Sequence, residues 1–96
     1  MIRNVVVGVL NDDATPEQAQ HALEALAGLR VEGVKFEMRT GLDLGLREGN
    51  ASYAITADFA DEADYRVYDL DEEHNRIRRE LFAPISAQIQ RIQFTL

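Results

Sequence analysis

The sequence has no cysteine, no tryptophan and only two prolines. Without cysteine there is no disulfide, no thiolate metal site and no cysteine nucleophile. Long apolar runs are missing too. The opening stretch MIRNVVVGVL, Met1 to Leu10, is too short to cross a bilayer and has no small-residue cleavage site. It reads as a strand, so a cytoplasmic location and no membrane partner are expected. Positive charge is scarce: 10 Lys and Arg stand against 17 Asp and Glu, a net charge of −7. The basic footprint of a nucleic-acid binder is therefore absent. The one basic cluster, Arg76, Arg78 and Arg79, lies among Glu72, Glu73 and Glu80 at helical spacing. It reads as a salt-bridged helix face rather than an anion site. No phosphate-binding loop is present, because Gly41, Gly45 and Gly49 fall between two strands rather than between a strand and a helix. Asp69, Asp71, Glu72, Glu73 and His74 are dense in ligand types. Yet no second histidine stands a helical turn from His74, so no metal is expected.

What remains is a globular composition, 46% hydrophobic and 28% charged over 96 residues. It predicts one domain over residues 1–96 with a thin core, one that an apolar partner surface would help. The stretch from Ile2 to Leu10 is β-branched and apolar on both faces, as a central strand is. Thr15-Pro16-Glu17-Gln18 carries the signature of a capped helix start. Ala19, Ala22, Leu23, Leu26 and Leu29 then form an apolar stripe, with His21 and Glu24 pointing away. Residues 34–40 alternate strictly, with Val34, Phe36 and Met38 on one face. A glycine-rich connection leads to a second alternating strand with Tyr53, Ile55, Ala57 and Phe59 on one side. A helix with an acidic start follows, ended by Pro84. Residues 88–96 close as a strand, with Ile92, Phe94 and Leu96 on its apolar face. The order βαββαβ predicts an α+β, ferredoxin-like protomer: a four-stranded antiparallel sheet with both helices on one face. Its other face is left open. The first strand offers that face either Val5, Val7 and Val9 or Val6 and Leu10, and a second copy of the sheet would cover it.

In the second helix Val67, Leu70, His74, Ile77 and Leu81 form one stripe, which turns His74 toward the sheet. An imidazole against an apolar wall loses charge and becomes a neutral base. A core histidine held by one hydrogen bond fits the same spacing. In an unbroken helix Tyr68 would point elsewhere. But Asp71-Glu72-Glu73 reads as a second N-cap, and a break there would bring Tyr68 and His74 to one cavity. A phenol and an imidazole at one pocket suit acid–base work on a carbonyl compound.

Four stretches carry a family resemblance: MIRNVVVGVL, ALEALAGL, VEGVKFEMRTGLDLG and ADFADEADYRVYDLDEEHNRI. The last is the most specific, a phenylalanine-ended strand followed by a helix with tyrosine six residues before histidine. Together they resemble the stress-responsive dimeric α/β-barrel (Dabb) domains along nearly the whole chain. That resemblance implies a homodimer in which two sheets form a β-barrel. One branch, of the plant olivetolic acid cyclase type, closes a linear polyketide by intramolecular aldol condensation without a cofactor. There the residues matching Tyr68 and His74 are catalytic. Two positions depart from the pattern: Asn4 stands where the family often has histidine, and Asp71-Glu72 where it often has His-Pro. Asn4 can position a substrate but cannot be a base.

Three functions follow as expectations. One is a barrel protein that holds an apolar or aromatic ligand without chemistry. Another is a cofactor-free cyclase or lyase with His74 as base, Tyr68 as donor and Asn4 positioning the substrate. Its pocket walls would be Val6, Leu23, Leu26, Val67, Ile77 and Phe94. A cofactor-independent, ferredoxin-like monooxygenase is a third, with no motif of its own.

Overall fold

The computed structural model describes residues 1–96. Strand β1 spans Ile2–Leu10, followed by helix α1 (Pro16–Ala27) and strands β2 (Phe36–Leu42) and β3 (Tyr53–Phe59). Helices α2 (Glu62–Leu70) and α3 (Glu72–Ile77) come next. A π-helical turn (Arg78–Phe82) and a 3₁₀ turn (Ala83–Ile85) then lead into β4 (Ser86–Thr95). The sheet order is β2-β3-β1-β4 with every pair antiparallel, so β1 is central as its composition predicts.

The Thr15 cap forms in full. Its hydroxyl accepts from the Gln18 backbone, and the Gln18 side chain accepts from the Thr15 backbone N–H. The stripe Ala19, Ala22, Leu23, Leu26 and Leu29 is buried against the sheet. Tyr53, Ile55, Ala57 and Phe59 meet it from β3. Gly8 sits opposite Tyr53, and a Cβ there would run into the Tyr53 ring. The ring crosses the strand at Gly8, and its hydroxyl bonds the Ser86 hydroxyl at 2.8 Å.

Four expectations need correction. Strand β2 starts at Phe36 rather than Val34, because Gly33 at φ +78° turns the chain and pairs Val34 back to Val31. It also runs on to Leu42, and β4 begins two residues early at Ser86. Val67 and Leu70 do not share the buried stripe with His74; they are 49% and 80% exposed. The break at Asp71 rotates the helix phase, so Tyr65 and Tyr68 face the core from α2 instead. Phe94 and Ile92 lie on the opposite face of the sheet from the helices. They pair across from Arg3 and Val5, while Gln93 and Arg91 pair with Asn4 and Val6 on the helix side. The open face thus carries Val5, Val7 and Val9 of β1, beside Ile92 and Phe94. Arg3 and Asp58 cross it as a bidentate pair at 2.7 and 2.9 Å, which holds the Asp58 carboxyl below its usual range.

Candidate functional site

A cavity of about 250 Å³ lies between the sheet and the helices. Its floor comes from the inward residues of three strands: Asn4 and Val6, Tyr53 and Ile55, and Ile89 and Arg91. Its roof comes from Leu26 of α1, from Tyr65, Tyr68 and Asp69 of α2, and from His74. Arg78, Arg79, Phe82 and Ala83 complete it from the irregular turns.

Tyr68 and His74 meet because the helix breaks. Asp71 is extended, at φ −60° and ψ 133°, and its carboxylate accepts from the His74 backbone N–H at 2.9 Å. That makes Asp71 the cap of a new helix and His74 its third residue, as the acidic run predicts. Asn75 locks the joint by donating to the carbonyls of Asp69 and Asp71. The two rings end 4.1 Å apart, tilted by 37°. Phe36 and Phe59 pack on the other sides of Tyr68.

Both polar ends are uncommitted. Tyr68 is 2% exposed, yet its hydroxyl makes no hydrogen bond within the protein, whereas a buried tyrosine hydroxyl usually has a partner. In His74, Nδ1 is sealed from solvent and makes no well-formed hydrogen bond, although the Asp69 backbone carbonyl lies near enough to the ring to favour its proton. Nε2 is not sealed and makes no side-chain hydrogen bond, and His74 lines the cavity. Burial lowers the His74 pKa below 6.5, helped by the positive charge of Arg78. The Asp69 carbonyl and the Asp69 and Asp71 carboxylates offset only part of this. His74 is thus a neutral imidazole near pH 7. Burial pushes the Tyr68 phenol far upward, so it stays protonated and is a donor.

Asn4 is buried beside them. Gln93 donates to its side-chain oxygen at 2.7 Å and also reaches the Tyr65 hydroxyl at 3.3 Å. That fixes the Asn4 amide with its oxygen occupied and its N–H₂ free. Of the residues expected around the site, Asn4, Val6, Leu26, Tyr68 and His74 line the cavity. Leu23, Ile77, Val67 and Phe94 do not. Leu23 and Ile77 are packed solid in the core beside it, Val67 is on the outer side of α2, and Phe94 is across the sheet. Sequence reasoning missed Tyr65, Gln93 and Arg91. The signal for the last two was the polar parity of residues 91 and 93, opposite Val6 and Asn4.

No curated protein matches the chain. A dimeric ferredoxin-like protein of unknown function from Thermobifida fusca is 31% identical. The match covers 99% of this chain and 90% of that one, with a TM-score of 0.84. A hydroxynitrile lyase from Passiflora edulis is 19% identical over 99% and 92% of the two chains, with a TM-score of 0.82. A cofactor-independent oxygenase from Streptomyces nogalater is 15% identical over 99% and 91%, with a TM-score of 0.78. At these identities the last two show the shared fold alone. The sequence model described as "Stress responsive A/B Barrel Domain" (Dabb) matches residues 2–96, and with it the chain belongs to the Dabb family.

Proposed function

We propose that the chain is a homodimeric, cofactor-independent enzyme of the cyclase or lyase type, moving a proton on a small carbonyl compound. One observation carries this reading: the His74 imidazole, held neutral, and the Tyr68 phenol, held protonated, line the same cavity with their rings 4.1 Å apart. His74 Nε2 takes the proton from the carbon beside the carbonyl. The electron pair moves onto the carbonyl oxygen, where the Tyr68 hydroxyl and the Asn4 N–H₂ donate to the developing charge. The hydroxynitrile lyase and the oxygenase are fold relatives that support such chemistry on this scaffold. The dimeric relative from Thermobifida supports a homodimer, and the open apolar sheet face is the surface on which a second copy would sit.

A second reading has its own observation. Tyr68 is ringed by Phe36, Phe59, Tyr65 and His74, an aromatic cluster that explains its position by packing alone. On that reading the cavity holds an apolar ligand and does no chemistry.

Proton removal can be read before a natural substrate is identified. In heavy water the protein should speed deuterium incorporation at the α-carbon of 2-tetralone, followed by NMR. His74→Gln should lower the protein-dependent rate by about 10²-fold or more, and Tyr68→Phe by less. Mandelonitrile cleavage tests the lyase form: the base takes the hydroxyl proton, the carbonyl forms and cyanide leaves, which is read as cyanide release. No rate above buffer on either compound, or a rate that His74→Gln leaves intact, sinks the enzyme reading.

A further inference from the structure

The basic cluster of the second helical segment does not behave as one salt-bridged face. Arg76 does, pairing with Glu73 and Glu80. Arg78 instead donates to the Asn75 side-chain oxygen at 2.7 Å and meets no carboxylate. Arg79 makes neither an ion pair nor a side-chain hydrogen bond. Both line the cavity, and Arg91, likewise without a carboxylate partner, lines it from β4.

The irregular turn makes this possible. In an α-helix consecutive side chains diverge by about 100°, so two neighbours rarely serve one pocket. Arg78 and Arg79 open a π-helical turn, whose wider coil reduces that divergence. Such turns are rare and recur at functional sites. The charge count then decides what the mouth attracts. Three arginines line the cavity against one acidic residue, Asp69, and the charges of Arg78 and Arg91 reach Tyr65 and Tyr68. The neutral His74 and the protonated tyrosines add nothing. In a chain of net charge −7 this is a local reversal of sign. Deeper in, Val6, Leu26, Ile55 and Phe82 are apolar.

We propose that the cavity takes a small carboxylic acid with an apolar, ring-sized body. Its carboxylate is held at the mouth by Arg78, Arg79 and Arg91, and its body reaches Tyr68 and His74. The guanidinium fork matches a carboxylate in shape and charge better than it matches a neutral oxygen. This deepens the reading of the cavity as a ligand site and rests on it.

The test compares two probes of nearly the same shape, only the first of them charged, 2-naphthoate and 2-naphthamide, by calorimetric titration of the full chain at low and high salt. The acid should bind about tenfold tighter or more, the scale of one charge-assisted hydrogen bond. Added salt should shrink that advantage. Arg78→Gln/Arg79→Gln/Arg91→Gln should abolish it, so that acid and amide bind alike. If the triple variant does not fold, Arg79→Gln alone, which has no bond to lose, must still lower the acid-to-amide ratio. Equal affinities, or a preference that survives these substitutions, overturn the inference and leave the ligand cavity standing. Binding of neither probe overturns both.

Discussion

His74 is held neutral by its surroundings, and that has a sign in stability. Its folded pKa lies below the usual 6.5. Between the two values the unfolded chain binds more protons than the folded one. Stability from this residue is therefore complete above about pH 6.5 and declines as pH falls through the window below it. Asp58, also lowered, loses its contribution in a more acidic window, below 3.8. Urea unfolding between about pH 7 and about pH 5 should show a slope in the wild type that His74→Gln lacks. Identical slopes would mean that His74 is not kept uncharged. Tyr68 and His74 were legible in the sequence because a cap signal between them implied a break. Val67 and Phe94 were misplaced because apolar character was taken to mean inward. Val67 is left outside by the phase change at Asp71, and Phe94 serves the other face of the sheet.

At the scale of elements, the N-caps Thr15 and Asp71 differ in what depends on them. Thr15 only starts α1, whereas Asp71 sets the angle between the helix that carries Tyr68 and the one that carries His74. Each cap replaced by alanine should cost about 1 kcal/mol of stability. Asp71→Ala alone should also weaken the nuclear Overhauser contact between the Tyr68 and His74 rings. An unchanged contact would show that packing, not the cap, sets their distance. Gly8 is a third determinant of the site. Gly8→Ala should displace the Tyr53 ring from the cavity floor and destabilise the fold by about 1–3 kcal/mol, the usual range for overpacking, readable by thermal unfolding. The caps and alternating strands were written in local residue types. The π turn was not: nothing in Arg78–Phe82 marks it, and the cationic mouth it builds was read as surface.

For the whole molecule, the open sheet face is the feature that one copy leaves unfinished. Val7 and Val9 are more than one-third exposed, and Ile92 and Phe94 are more so. Val7→Asp at the centre of that face should convert a dimer to a monomer in light scattering, while Val67→Asp, on the outer side of α2, should not. A monomer in the wild type would remove the barrel. That a face was open followed from the element order. Which valines occupy it did not, because β1 is apolar on both sides and only the register with β3 settles the parity. The same register has a consequence in time. Ile2 pairs with Phe59 on one side and Thr95 on the other, so the first strand made is completed by the last. During synthesis, nine mostly apolar residues wait with a bare edge until β4 is made. Folding is thereby tied to pairing between the two ends of the domain, which is slower than the local contacts of a helical bundle. Any nascent or truncated product ending before Ser86 would carry an unpaired edge prone to sticking to its neighbours.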